Sequence, residues 1–254
     1  MAIAETCTGC RSGEHFPVAF TMAFQPIVDV LDRTIWGYEA LVRGNNGEGA
    51  GSVLAAVNEH NRYKFDQACR VKAIELAGTG MPTGSTAKLS INFMPNAVYE
   101  PSACIRASLA AAKRVKFDPA RLMFEFTENE QVNDPAHVEN IIASYKRMGF
   151  TTALDDFGAG YAGLGLLARF QPDVIKIDME LIRDIDKSKP RQAIVDGILQ
   201  IARALDIVVL AEGIETAAEA LTLQKAGIRL MQGYFFAKPE IETFRAFEEV
   251  TPLV

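Results

Sequence analysis

The chain of 254 residues has only four cysteines, three histidines and one tryptophan. Four thiols in this length are too few for a disulfide framework, so they are expected to be reduced. No basic run is present that could track a phosphate backbone, and 26 Lys+Arg against 32 Asp+Glu give a net charge of −6, which argues against duplex nucleic acid as a partner. No uninterrupted apolar stretch approaches the about 18 to 20 residues of a membrane span. Residues 1–10 also lack the basic start and apolar block of a leader, so no membrane association and a cytoplasmic location are expected. Low-complexity tracts, linkers and fixed-period repeats are absent too, and nothing argues for cutting the chain. What is there is 49% hydrophobic and 23% charged, the composition of a folded protein rather than a disordered one.

The length lies where single α/β barrels commonly fall. Two β-patterned runs, residues 19–30 and 34–41, flank a polar turn and read as an antiparallel hairpin. A glycine-rich loop, 44–51, leads to helical spacing over 52–59 and 64–77. Short strand candidates at 88–93, 122–126, 152–155, 174–177, 208–211 and 230–231 then alternate with helical stretches that include 137–148, 191–205 and 217–226. Six strands plus the hairpin make eight, enough to close a (β/α)₈ TIM-like barrel covered by helices. The expected organisation is an N-terminal extension, 1–17, carrying Cys7 and Cys10, followed by one barrel domain, 18–254. The acidic residues near the C-terminus, Glu240, Glu242, Glu248 and Glu249, read as the solvated face of a helix.

Almost every strand carries a polar residue at or just after its C-terminal end: Glu39, Asn92, Glu125, Asp155 with Asp156, Lys176, Glu212 and Gln232. The two-residue period puts Val174, Lys176 and Asp178 on one face and Ile175 and Ile177 on the other; if the isoleucines meet the helices, Lys176 points inward. The same parity sends Ser90 with Asn92, Met123 with Glu125, and Leu210 with Glu212 to the inside. Singly, such an Asp or Glu is an ordinary helix cap or salt-bridge partner. Together they differ, because the C-terminal rim of a closed barrel brings all these positions to one mouth. Two carboxylates about 4 Å apart repel by about 4 kcal/mol at an effective dielectric near 20, so five of them require cations. Carboxylates plus an Asn oxygen, without His or Cys, suit Mg²⁺ or Mn²⁺, and adjacent Asp155 and Asp156 offer a bridge between two ions. A pair of such ions supports in-line attack at phosphorus, which makes phosphodiester hydrolysis the natural reaction class.

The motifs themselves then come in a telling order. Phe24-Gln25-Pro26-Ile27-Val28, Glu39-Ala40-Leu41, Arg43, Ile91-Asn92-Phe93 and Phe124-Glu125-Phe126-Thr127-Glu128 are followed by Asp155-Asp156-Phe157-Gly158, Lys176-Ile177-Asp178, Ala211-Glu212-Gly213-Ile214-Glu215 and Gln232-Gly233-Tyr234. Over residues 20–239 the chain resembles the bacterial EAL domain family. The resemblance implies a (β/α)₈ barrel with one antiparallel strand that hydrolyses cyclic di-GMP to linear pGpG with two divalent cations, Mg²⁺ or Mn²⁺. Carried over by position, Glu39, Asn92, Glu125 and Asp155 would bind one metal, and Asp155, Asp156 and Glu212 the second. Lys176 would hydrogen-bond the attacking water, while Gln25, Leu41, Arg43 and Gln232 would contact substrate. Glu128 matches the anchor of the loop after Asp155-Asp156, which in the family is tied to metal binding and to a homodimer interface. Ca²⁺ is expected to occupy the site unproductively. Three departures stand out: Phe93-Met94 replaces the usual Leu-Ser, Ala162 a frequent serine, and Arg229 a common acidic residue. None removes a metal ligand.

Other readings compete at single motifs. Gly158-Ala159-Gly160-Tyr161-Ala162-Gly163 satisfies the dinucleotide-binding fingerprint, but Asp155 and Asp156 would repel a pyrophosphate there. Asp156-Phe157-Gly158 imitates a kinase metal motif without its companions. Cys7, Cys10 and His15 offer three zinc ligands, against the plainer reading of a frayed terminus. Cys69 and Cys104 read as small core residues, and His60 and His137 lack a nucleophile for a triad. The alternative to an enzyme is a receptor that binds the same dinucleotide and signals through a regulatory protein partner. Few residues lie outside the resemblance, so regulation is expected through dimerisation, the cysteine-bearing terminus or that partner.

Overall fold

The computed structural model describes residues 16, 18–95, 98, 100–127, 135–160 and 163–253. The hairpin strands are β1 (Phe20–Asp29) and β2 (Thr34–Gly44). After them come α1 (Ala50–Leu54), α2 (Arg62–Gly80), β3 (Lys88–Asn92), α3 (Pro101–Cys104), α4 (Arg106–Val115), β4 (Leu122–Thr127), α5 (Pro135–Arg147) and β5 (Thr151–Phe157). The chain continues through α6 (Gly163–Leu167), β6 (Val174–Ile177), α7 (Met179–Ile182), α8 (Lys189–Ala204), β7 (Val208–Ala211), α9 (Ala217–Ala226), β8 (Leu230–Met231) and β9 (Glu240–Ile241). Strands β2 to β8 pair in sequence order and in parallel, and β1 runs antiparallel between β8 and β2, closing an eight-stranded barrel. The short β9 adds to the same edge of β1 beyond β8.

Strand parity divides the core in two. Inside the barrel Ile27, Met123, Ala153, Val174, Leu210 and Leu230 form an apolar floor with Trp36 packed against it. The alternate residues, among them Leu89, Ile91, Phe124, Ile175 and Ile177, join the larger core beneath the helices. One residue further along each inward row, the floor gives way to polar groups. The apolar floor excludes water from below, so whatever charge sits at the rim is solvated from one side only.

Helix α1 is shorter than the sequence pattern predicts, because Asn58 and Asn61 satisfy backbone amides with their own side chains: Asn61 Oδ1 accepts from the Asn58 amide at 2.8 Å and Asn58 Oδ1 from His60 at 2.9 Å. Such local bonds compete with helix propagation. The expected acidic helix at the C-terminus is corrected more thoroughly. A hairpin has no crossover helix, so the outer face of β1 and β2 needs another cover, and the C-terminal segment provides it in extended form. Phe244 stacks on Phe24 at 4.1 Å and meets Tyr38 edge-on at 5.1 Å, while the Tyr38 hydroxyl donates to the Arg245 carbonyl at 2.8 Å. Glu240 lies in β9 and pairs with Arg245, and Glu242 accepts from the Thr21 hydroxyl. Glu248 and Glu249 sit in a single 3-10 turn, Phe247–Glu249. Apolar residues that mimic a helical face are here pinned one by one to a strand surface.

Candidate active site

The C-terminal ends of the strands deliver the predicted side chains to one mouth. Lys176, fully buried, holds its Nζ 2.7 Å from Glu212, 2.9 Å from Glu125, 3.0 Å from Asp155 and 3.7 Å from Glu39. Around this ammonium the carboxylates form two overlapping sets. Oxygens of Glu39, Glu125 and Asp155 lie within 4.8 Å of one another, as do those of Asp155, Asp156 and Glu212. Asp155 belongs to both.

Adjacent strand residues normally face opposite ways, so Asp155 and Asp156 reach the same mouth only because β5 is irregular. Leu154 pairs with Ile175 and Phe157 with Ile177, which leaves one extra residue in β5, and Asp156 takes φ +55°. This is a β-bulge, a device that re-aims a side chain. The inward-pointing Lys176 agrees with the parity argument. Asp178 does not follow it: β6 ends at Ile177, and Asp178 caps α7 by accepting from the Glu180 amide at 2.7 Å.

Amides and a hydroxyl orient the acids. Gln232 Nε2 donates to Glu39 at 2.7 Å and to Gln25 Oε1 at 3.1 Å, and Gln25 Nε2 donates to the Ala237 carbonyl at 3.0 Å. Asn92 Nδ2 donates to Glu39 Oε1 at 3.2 Å, which commits its nitrogen and leaves its oxygen as the atom that could face a cation. Ser90 donates to Glu125. Ser90 was readable as inward-facing from parity, but nothing in the sequence marked it as a tether. The loops after β6, β7 and β8 are locked by close approach. A Cβ at Gly233 would lie 2.1 Å from the Ile214 carbonyl oxygen, and Gly213, at φ +65°, abuts Met179.

Electrostatics follow from the one-sided solvation. Burial pushes the Glu125 carboxyl up to about 8; Lys176 pulls it down, while Glu39 and Asp155 add to the rise. Glu212 is raised well above the usual carboxylate range, chiefly by burial. Burial and Asp155 raise Asp156 to about 6. Burial works against the Lys176 ammonium, but Asp155, Glu125, Glu212 and Glu39 together hold it well above the ordinary lysine value. With all five acids ionised, one ammonium leaves four negative charges uncompensated. Two divalent cations would balance that charge, and an all-oxygen donor set matches hard ions such as Mg²⁺, Mn²⁺ or Ca²⁺.

Two cavities open at the rim and share Leu41. One of about 300 Å³ is bounded by Gln25, Glu39, Asp156, Glu212 and Gln232. A second, of about 800 Å³, extends past Arg43, Asn92, Met94 and Asp66 towards α2. Arg43 therefore stands beside the acidic cluster rather than in it, with Nη1 on its neighbour's carbonyl, Val42 O, at 2.7 Å. Glu128, Cys7, Cys10, His15, Tyr161 and Ala162 lie outside the described residues. Arg229, a departure from the expected pattern, sits away from the mouth, where its Nε donates to Asp29 at 2.8 Å.

The family model of the EAL domain matches residues 18–239. The chain belongs to the EAL domain family. BluF of Escherichia coli, a blue light- and temperature-regulated antirepressor, is 36% identical over 219 residues, covering 86% of this chain and 54% of BluF. PdeR of the same organism, a cyclic di-GMP phosphodiesterase, is 39% identical over 127 residues, 50% of this chain and 19% of PdeR. This EAL domain thus spans about half the length of BluF and less of PdeR. Among solved structures, a standalone versatile EAL protein from Vibrio cholerae in its c-di-GMP-bound form is 54% identical, with 93% of this chain and 97% of that one covered and a TM-score of 0.87. Within the described residues, no helix of this EAL domain is long and apolar enough to cross a membrane.

Proposed function

We propose that this EAL domain is a cyclic di-GMP phosphodiesterase that opens the ring to linear 5′-pGpG with two divalent cations, Mg²⁺ or Mn²⁺. The observation that carries the reading is the pair of carboxylate sets sharing Asp155 around Lys176. Glu39, Asn92, Glu125 and Asp155 would hold one ion, and Asp155, Asp156 and Glu212 the other. Such ions, when bound, lower the pKa of water and neutralise charge at phosphorus. In the reaction a water oxygen joins phosphorus and the P–O3′ bond breaks; one water proton passes to a protein carboxylate and from there to the departing 3′ oxygen, which leaves as a hydroxyl, while the other stays with the new 5′-phosphate. In this reading Lys176 donates a hydrogen bond to the entering water, and Glu212, 2.7 Å from Lys176, takes the proton. Leu41 borders both cavities and Arg43 the larger one, which has room for a nucleotide half of the substrate; Gln25 and Gln232 line the smaller one. A homodimer, with Glu128 anchoring the loop after Asp156, and a cytoplasmic setting belong to the same proposal.

BluF, named as an antirepressor, favours a second reading: a receptor that binds cyclic di-GMP and acts on a protein partner. Product analysis separates the two. Incubation with cyclic di-GMP is expected to yield pGpG with Mg²⁺ or Mn²⁺, and no product with EDTA or with Ca²⁺, which enforces octahedral geometry less strictly. Tight binding without turnover at saturating Mg²⁺ and Mn²⁺ would replace the enzyme by the receptor.

The raised carboxyls predict a pH dependence. Glu125 at about 8 and Asp156 at about 6 hold protons that a cation must displace, so affinity for Mn²⁺ rises as pH climbs through these values and levels above them. Between pH 6 and pH 8 the gain is expected to be about 10- to 100-fold, at up to tenfold per pH unit per displaced proton. Calorimetric titration at the two pH values checks it; equal affinities would contradict the protonated-acid picture.

A further inference from the structure

Helix α2 carries an ion pair that the reaction does not use. Asp66 and Arg70, one turn apart, are 2% and 0% exposed, and Arg70 Nη2 lies 2.7 Å from Asp66 Oδ2. A buried pair of this kind is weak as a source of stability, because desolvating both charges offsets most of their attraction. Its value must then lie in what it holds in place. The other oxygen of Asp66 accepts a hydrogen bond from the Met94 amide at 3.0 Å, two residues beyond Asn92 and just past the end of β3. Phe93, between them, bonds through its amide to the Glu125 carbonyl at 2.9 Å and packs its ring among Phe124, Phe126 and Tyr145. Arg70 in turn donates to the Cys104 carbonyl at 3.4 Å, which ties the pair to the end of α3. Asn92 itself is exposed, with a single 3.2 Å bond from its amide to Glu39, so the backbone beyond it decides where its oxygen points.

We propose that Asp66, held by Arg70, is a positioning residue: through the Met94 amide it sets the orientation in which Asn92 presents its oxygen to a divalent cation. The inference rests on the metal-site reading above. Partners of this outer kind affect metal affinity by about 10- to 100-fold when removed.

Two double variants isolate the single hydrogen bond. Asp66→Asn/Arg70→Met removes both charges but keeps an oxygen that can accept from Met94. Asp66→Leu/Arg70→Met removes the acceptor as well; if the leucine overpacks and the protein does not fold, Asp66→Ala/Arg70→Met takes its place. The 254-residue chain, stripped of metal, is titrated with Mn²⁺ and followed by electron paramagnetic resonance, with thermal melting in parallel. The asparagine variant is expected within about threefold of parent affinity, and the acceptor-free variant about tenfold weaker at a similar melting temperature. Adding Asn92→Ala to the acceptor-free variant is expected to weaken binding little further, because the two changes act on one ligand. Equal Mn²⁺ affinity in both double variants, or a fully additive effect of Asn92→Ala, overturns the inference alone. A parent protein that binds no Mn²⁺ overturns the metal-site reading and this inference with it.

Discussion

Lys176→Met is expected to destabilise the metal-free protein by about 3–5 kcal/mol at pH 8, the cost of leaving buried charge without its partner. Four carboxylates, those of Glu39, Glu125, Asp155 and Glu212, face this ammonium within 3.7 Å, and among the described residues no other cation bounds the cluster. The pH dependence has a definite sign. An acid whose folded-state pKa is raised, as for Glu125 from 4.5 to about 8, is better tolerated protonated, so its contribution to stability falls as pH rises across that window. Without Lys176 the acids lose the charge that opposes this rise, and the loss at pH 6 should be smaller than at pH 8. On the proposed metal site, Mn²⁺ would bind the folded state in preference to the unfolded one and should return part of the lost stability. Urea unfolding at both pH values, with and without Mn²⁺, measures all of this. A variant as stable as the parent at pH 8 without metal would mean that the carboxylates are not held together by Lys176.

Glu39→Ala should behave in the opposite way. It removes one negative charge from a crowded cluster and leaves Lys176 three partners, so the fold should be retained. Hydrolysis of cyclic di-GMP should fall by about a thousandfold or more, equivalent to about 4 kcal/mol of transition-state stabilisation from a correctly placed cation. The same change frees the donors of Asn92 and Gln232, both of which end on Glu39, so binding of Mn²⁺ should weaken in parallel. Full activity in this variant would refute the proposed assignment. Folding lost in one variant and chemistry in the other would separate the two roles that the cluster combines.

Much of this site is legible in the sequence. The period of two in β6 put Lys176 inside, and the positions of Glu39, Glu125, Asp155 and Glu212 at strand ends put the acids on one rim. Strand limits at 174–177, 208–211 and 230–231 also agree with the pattern. These features are local: alternation and turn chemistry act over a few residues, and barrel closure then collects the strand ends without further instruction. The helix expected around Glu240, Glu242, Glu248 and Glu249 failed for the complementary reason. Its apolar residues answer to the uncovered face of a hairpin more than 200 positions earlier, as the Tyr38 to Arg245 hydrogen bond shows.

By itself, then, the sequence determined which residue types meet, in what order and on which face of each strand. Only the tertiary structure decided that a bulge at Asp156 turns two neighbouring acids the same way and that Asp66 on α2 reaches the Met94 amide after β3. Faces follow from backbone periodicity, which is written into the chain. Bulges and contacts between elements depend on how packed strands and helices share space, and their energies exist only once the barrel has closed.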